Sequence, residues 1–323
     1  MTRHVLITGA AGFIGSALAR GLAARGWGRV VGLDTVLPPQ SAAAPGVSES
    51  ALFPGLILRC DIREREQVAR IVEAEAPDTI VHVAGRTGMR GSVKDPAGYY
   101  ATNVRGTENV LAAAGRLRCH VVLISSGSIY GDVSEPVEET FPLPPPSNPY
   151  IETKRLAEDA ALQNADRRGC PTTILRVFTV YGPHQRAEMA IRTFVSKIWA
   201  GQPVTVYGEG NARRDFLHVD DCVEGILRAV EKPPALSEIV NLATGISTSL
   251  TDLLAVIGRS LERPVRVENV PTPDGIPVSL IASIQKARAL YGYSARISLG
   301  DGIPDFINWY RQACAGGAGG HAM

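Results

Sequence analysis

Nowhere does the sequence run to the roughly 18 unbroken apolar residues that a membrane-spanning helix needs, so no span is expected. Nor is there an excess of one charge. In 323 residues, 33 Lys and Arg stand against 32 Asp and Glu with no basic block, which leaves nucleic acid and anionic membrane surfaces no electrostatic footing. Cysteine is scarce: Cys60, Cys119, Cys170, Cys222 and Cys314 are odd in number, scattered, and form neither a CxxC pair nor a Cys/His grouping of metal-ligand spacing. That excludes a disulfide framework and a structural zinc and fits a reduced, cytoplasmic compartment. A cleavable signal is not expected, since a strand starts within a few residues of Met1. Hairpin signals and internal repeats are missing too.

What is there begins with an apolar run, His4 to Thr8, of the kind found in a strand buried on both faces. It runs into Gly9-Ala10-Ala11-Gly12-Phe13-Ile14-Gly15 and a helical stretch over Ser16 to Arg25. Strand, glycine turn and helix in that order are the context a dinucleotide fingerprint requires: Gly9 for the tight turn, Gly12 for close approach of a pyrophosphate, Gly15 for helix against strand. The helix N-terminus, from Phe13 and Ile14, then offers free N–H groups to phosphates. A second strand ends in Asp34, about 20 residues further on, where a carboxylate accepts from both ribose hydroxyls and repels a 2′-phosphate; NAD is favoured over NADP. Pro38 to Pro54 reads as an irregular loop, and Leu56 to Arg59 as a strand leading to Asp61 and Ile62. Asp61 is a candidate for the adenine amino group or for the cap of a helix starting near Glu64, and the two are compatible.

Strand and helical patterns keep alternating. Thr79 to Val83 ends at the small residues Ala84 and Gly85, where a backbone passes a cofactor. A helix over Asp95 to Ala114 carries Asn103, and His120 to Ile124 leads to Ser125, Ser126 and Ser128. This order predicts right-handed crossovers and an α/β, doubly wound parallel (Rossmann) sheet, with ligands at the carboxyl ends of its strands. Glu135 to Pro149, with six prolines, then delivers Tyr150-Ile151-Glu152-Thr153-Lys154 at a helix start. Residues four apart share a helix face. An ammonium at Lys154 is expected to bring the Tyr150 phenol down from about 10, which suits acid–base work near neutral pH. Beyond Thr172 to Val177 the pattern loosens: helices are read over Ala187–Ala200, Cys222–Val230 and Leu250–Leu261, and strands over Pro203–Val206 and Ile239–Leu242. The expected division is a cofactor domain over 1–178 with a return near 216–246, a smaller mixed α/β substrate domain from 179–215 and 247–314, and a flexible tail, 315–323.

With the glycine motif, Asp34, Ser125-Ser126, Tyr130-Gly131-Asp132 and the Tyr150/Lys154 pair all in order, the chain resembles the extended short-chain dehydrogenase/reductase family, the NAD-dependent sugar-nucleotide epimerases and dehydratases. The resemblance implies that Lys154 also bonds the nicotinamide ribose and that Ser126 assists a Tyr150 phenolate. It implies in turn that Tyr150 takes the proton of a sugar 4-hydroxyl as hydride passes to NAD, in a homodimer paired through helices 95–114 and 150–166.

Within the family, dehydratases carry Asp-Glu after the assisting hydroxyl residue, and decarboxylases place a glutamate where Ser128 stands; here those positions are Gly127 and Ser128. Phe178-Thr179-Val180-Tyr181-Gly182-Pro183, with Gln185, Arg186, Met189 and Ala190 following, is similar to the uronic-acid 4-epimerases, as is Gly88-Met89-Arg90-Gly91-Ser92. A sugar carboxylate needs hydroxyl donors and a cation. Ser128, Thr179 and Arg186 are the candidates, with Arg90 beside them and Arg214 for the nucleotide diphosphate. The expectation is a UDP-glucuronate/UDP-galacturonate 4-epimerase, an isomerase of carbohydrate metabolism. The alternatives are a UDP-glucose 4-epimerase, a UDP-glucuronate decarboxylase, or an NAD-sensing interaction protein. Pro273-Asp274-Gly275, where relatives read Pro-Gly-Asp, marks an altered loop over 274–281.

Overall fold

The computed structural model describes residues 3–37, 53–272 and 278–316. Most of the Pro38–Pro54 loop, residues 273–277, which take in the first four of the altered loop, and 317–323 of the tail lie outside the described residues. The chain opens with β1 (His4–Thr8), α1 (Phe13–Ala24), β2 (Arg29–Asp34), β3 (Leu56–Arg59), α2 (Arg65–Glu75) and β4 (Thr79–His82). Two short helices, α3 (Met89–Lys94) and α4 (Pro96–Tyr99), pass through a π-helical turn, Tyr100–Gly106, into α5 (Thr107–Leu117). Next come β5 (His120–Ser126), a 3-10 turn (Gly127–Tyr130), α6 (Pro149–Arg168) and β6 (Thr172–Val177).

These strands, with a later one, make a seven-stranded sheet, wholly parallel, whose order reverses beside β1: β3, β2, β1, β4, β5, β6 and then a strand over 237–242. The apolar runs explain it, since every residue of β4 and of β6 is buried. One core lies between the sheet and α1, the other between the sheet and α2, α5 and α6. The doubly wound α/β architecture expected from the sequence is thus present.

After β6 come β7 (Thr179–Tyr181), α7 (Ala190–Trp199), β8 (Val204–Tyr207), β9 (Arg213–Arg214), β10 (Phe216–His218), α8 (Val219–Glu231) and β11 (Ser237–Leu242). β12 (Thr248–Ser249), α9 (Leu250–Leu261), β13 (Val267–Val270), β14 (Ser279–Leu280), α10 (Gln285–Tyr291) and α11 (Leu299–Gly316) complete it. The outer lobe has its own core, in which Phe194, Val195, Leu253, Ile257, Ile303 and Phe306 pack together.

Several boundaries differ from expectation for identifiable reasons. α1 starts inside the glycine motif, at Phe13, because the Gly12 carbonyl already accepts from Ser16 N–H. α8 starts three residues early, because His218 Nδ1 accepts from Asp220 N–H and Asp220 and Asp221 fill the first turn. The helix expected over Asp95–Ala114 is interrupted: the π-helical turn widens it where Asn103 faces the loop after β4. Ala315, expected in the tail, still belongs to α11. Phe306 is fully buried in the outer core; Phe306→Ala is expected to cost about 3–5 kcal/mol, visible as a lower denaturant midpoint with the sheet's far-UV signature retained.

Candidate active site

The carboxyl edge of the sheet is built first from backbone. Gly9 sits at φ +70°, and a Cβ there would lie 2.7 Å from Ala84 N; one on Gly15 would lie 2.1 Å from the Gly9 carbonyl oxygen. Only glycine lets β1, the β4 loop and α1 converge this closely. The twelve-residue α1 opens at Gly12, Phe13 and Ile14 with no side-chain cap on its N–H groups. Such a cradle fits a pyrophosphate. Asp34 ends β2 and accepts from Ala11 N at 2.9 Å and Val36 N at 3.1 Å, so its carboxylate stands against the turn.

Asp61 corrects one expectation. It does not cap α2, whose N-cap is Glu64 without a side-chain bond. Arg63 instead grips its carboxylate through Nε, Nη2 and the backbone N–H and holds it below the usual range. Ile62 beside it is buried against Gly106. Asn103 is likewise engaged: its Oδ1 accepts from Arg86 N at 2.7 Å, and its Nδ2 donates to Arg86 O and Thr153 Oγ1. It thereby pins the Ala84–Arg86 loop to α6, and a Cβ on Gly85 would lie 3.6 Å from Lys154 Nζ.

The proline-rich segment ends at Asn148, whose side chain caps α6, with Pro149 at its first position. This fixes Tyr150 in the first turn, buried, with its phenol near enough to Ser126 and Ser128 to be influenced by both. The two serine oxygens are 2.7 Å apart. Tyr99, which sequence reasoning missed, packs edge-on at 6.4 Å from the Tyr150 ring. Burial pushes the Tyr150 phenol up; the serines and the nearby Arg186 charge oppose it.

The expected lowering of Tyr150 by Lys154 is not what the structure shows. Lys154 Nζ donates to the Ile124 carbonyl at 2.8 Å, and burial pushes the ammonium itself down to about 8.

The substrate candidates separate. Arg186 donates to Thr87 Oγ1 and lies near enough to Tyr150 to act on its charge. Thr179 opens β7 two residues past Val177, the register partner of Ser126, so both sit at one sheet edge. Arg90 instead stacks on Tyr207 and donates to its hydroxyl, and Arg214 donates to the Val278 carbonyl. A second group was missed: Glu158, one turn past Lys154, pairs with Arg176 of β6 at 2.8 Å, both buried. Its signal was a charged residue, Arg176, inside the strand pattern Thr172 to Val177. Among the described residues no cluster of metal ligands occurs and no helix is long and apolar enough to cross a membrane.

The model of the NAD dependent epimerase/dehydratase family matches residues 5–243. The chain belongs to this family. A probable UDP-glucuronate 4-epimerase of Rhizobium meliloti is 32% identical, over 95% of this chain and 96% of its own length. The UDP-glucuronic acid 4-epimerase of Bacillus cereus, solved with UDP-glucuronic acid and NAD, superposes with a TM-score of 0.86 at 30% identity, covering 96% of this chain and 99% of that one. The UDP-glucose 4-epimerase of Thermus thermophilus, solved with NAD, gives 0.85 at 28% identity, covering 98% and 100%. The family's NAD dependence accords with the glycine cradle and Asp34 found here.

Burial of the Lys154 ammonium costs folding free energy wherever the unfolded chain holds that proton more tightly. The cost is complete below about 8 and disappears as pH rises to the ordinary value of 10.5. Lys154→Met is therefore expected to raise the melting temperature of the cofactor-free protein at pH 7 by about 2–4 °C, an advantage that shrinks toward pH 10.5 in a calorimetric series.

Proposed function

We propose that this enzyme is an NAD-dependent isomerase that inverts carbon 4 of a nucleotide-diphosphate sugar, with UDP-glucuronate and UDP-galacturonate as its pair. The observation that carries the reading is the placing of the buried Tyr150 phenol beside the paired hydroxyls of Ser126 and Ser128, within reach of the Arg186 charge. A proton acceptor and a cation meet where a sugar ring enters the edge of the sheet. The names of the relatives support the same substrate.

Gly9, Gly12, Gly15 and the start of α1 hold the pyrophosphate of NAD, Asp34 its adenosine ribose, and Lys154 the other ribose, with Asp61, Ile62, Ala84, Gly85 and Asn103 lining the rest. Bound NAD supplies hydride acceptance and return. Tyr150 removes the proton of the 4-hydroxyl and returns it to the same oxygen once the 4-keto sugar has turned to present the opposite face of carbon 4 to the returning hydride. Hydroxyls both donate and accept, so Ser126 and Ser128 serve the phenol and the phenolate alike. Ser128, Thr179 and Arg186 take the sugar carboxylate, and Arg90 and Arg214 the outer part of the nucleotide. With Gly127 and Ser128 in place of the dehydratases' acid pair, elimination has neither its proton donor nor its acceptor, and the decarboxylases' glutamate at the Ser128 position is missing as well.

Two subunits pair through the α4–α5 and α6 helices, where Leu117 and Leu156 are exposed. The compartment is the cytoplasm, in keeping with five free thiols, four of them buried.

Purified protein given UDP-glucuronate is expected to form UDP-galacturonate without consuming added NADH, as read by chromatography. Turnover of UDP-glucose alone would replace this reading by the neutral-sugar epimerase, and carbon dioxide with a pentose by the decarboxylase. Tyr150→Phe should lower kcat by about 100-fold or more; unchanged turnover would take Tyr150 out of the chemistry, and no turnover of any nucleotide sugar by the wild type would leave an NAD-sensing role. Light scattering at twice the monomer mass, reduced to the monomer mass by Leu156→Glu, checks the helix pairing.

A further inference from the structure

Three consecutive residues at the carboxyl end of β5 each take one contact from α6. Ser126 meets Tyr150, the Ile124 carbonyl accepts from Lys154 Nζ at 2.8 Å, and Ser125 Oγ donates to Glu158. Tyr150, Lys154 and Glu158 are spaced four apart, one helix face across successive turns. The first two contacts belong to the reading above, and the third has no part in it.

Glu158 is 3% exposed and Arg176 4%. Arg176 Nε and Nη2 both donate to the carboxylate, while Nη1 donates to Tyr130 Oη at 2.8 Å and to the Glu139 carbonyl at 3.0 Å. Tyr130 in turn donates to Asn241 of β11. One buried ion pair thus ties α6, β5, β6, β11 and the segment before α6 together. Burying such a pair gains little stability over apolar side chains of the same size, so its place beside Lys154 calls for another account.

We propose that Glu158 is a positioning residue of the reaction: gripped by Arg176 and Ser125, it holds α6 in register on the end of β5 and keeps a fixed negative charge one turn from Lys154. This rests on the reading that Tyr150 and Lys154 act on the sugar. Among the described residues, the other groups facing Lys154 supply no such charge. On α6 there is the phenol of Tyr150; from β4 comes His82, which burial and Lys154 push down to about 3, leaving it neutral; β5 offers a carbonyl and serine hydroxyls, and the π-helical turn an amide. Arg176, from β6, reaches this region through Glu158. The influence that raises the buried ammonium of Lys154, against its burial, is the Glu158 carboxylate.

The test is the pH profile of kcat for epimerisation. Glu158→Gln keeps the shape and the acceptor for Ser125 but removes the charge, so Lys154 loses its proton at lower pH. The alkaline limb should move down by about one pH unit, lowering kcat at pH 9 by about tenfold against wild type while KM stays within about threefold. Because the neutral amide would leave the Arg176 guanidinium buried without a counter-charge, the double change E158Q/R176M serves where the single variant does not fold, and its limb should move the same way. Ser125→Ala removes one contact and no charge; kcat should fall about threefold or more with the limb unmoved. A wild-type limb in the charge-removing variants, or a shifted limb in Ser125→Ala, overturns the proposal. Tyr150→Phe run alongside separates the two readings: if it keeps turnover, the catalytic assignment falls; if it abolishes turnover while Glu158→Gln keeps the wild-type profile, only this inference falls.

Discussion

Everything at the active edge depends on main chain meeting main chain between β1, the β4 loop and α1. The approach of Gly15 to the Gly9 carbonyl and of Gly9 to Ala84 leaves no volume for a side chain. It aims the uncapped start of α1 at the space above the sheet, and it puts Gly85 beside Lys154 and Asn103. The strand order reverses at this point, so a crevice opens there by topology. The proposed places of cofactor and sugar share that crevice with the Tyr150 phenol, and the glycines keep it open.

Much of this was legible. Alternating apolar runs specified a parallel sheet, since a strand buried on both faces has few other ways to read, and Thr172–Val177 and Leu250–Leu261 fall where the pattern put them. The glycine motif and Tyr150 were legible because each needs a fixed spacing and a fixed context. What escaped was set by tertiary partners. The π-helical turn follows from Asn103 satisfying a loop seventeen residues away in sequence. Of the two roles read for Asp61, adenine partner and helix cap, the cap is ruled out by Arg63, which holds its carboxylate. The Lys154 ammonium looked free to act on Tyr150 until a carbonyl of β5 claimed it. Arg90 and Arg214 were read as pocket arginines from motif, and the motif gave no sign of their contacts to Tyr207 and Val278. Apart from Arg63, two residues from Asp61, none of these partners lies at a helical or strand spacing that a one-dimensional pattern can record.

The site is also costly. It buries an ammonium, a carboxylate, a guanidinium and a phenol within two turns of α6 and one strand end. Charge removed from water is expensive, and the compensation comes from hydrogen bonds that reach into several elements at once. This links local chemistry to global order: the groups that stabilise the reacting positions also fasten α6 to the sheet.

The seventh strand of the sheet has a consequence for how the chain comes together. β11 pairs with β6 along its whole length, yet it is drawn from residues 237–242, after α7, β8, β9, β10 and α8 have intervened. During synthesis β6 stays an open edge for some sixty residues, and the Tyr130–Asn241 bond beneath the active site cannot form until that strand arrives. The nucleotide-binding half is thus completed by the chain's return from the other lobe, and no single cut divides the molecule into two parts that each keep a finished sheet.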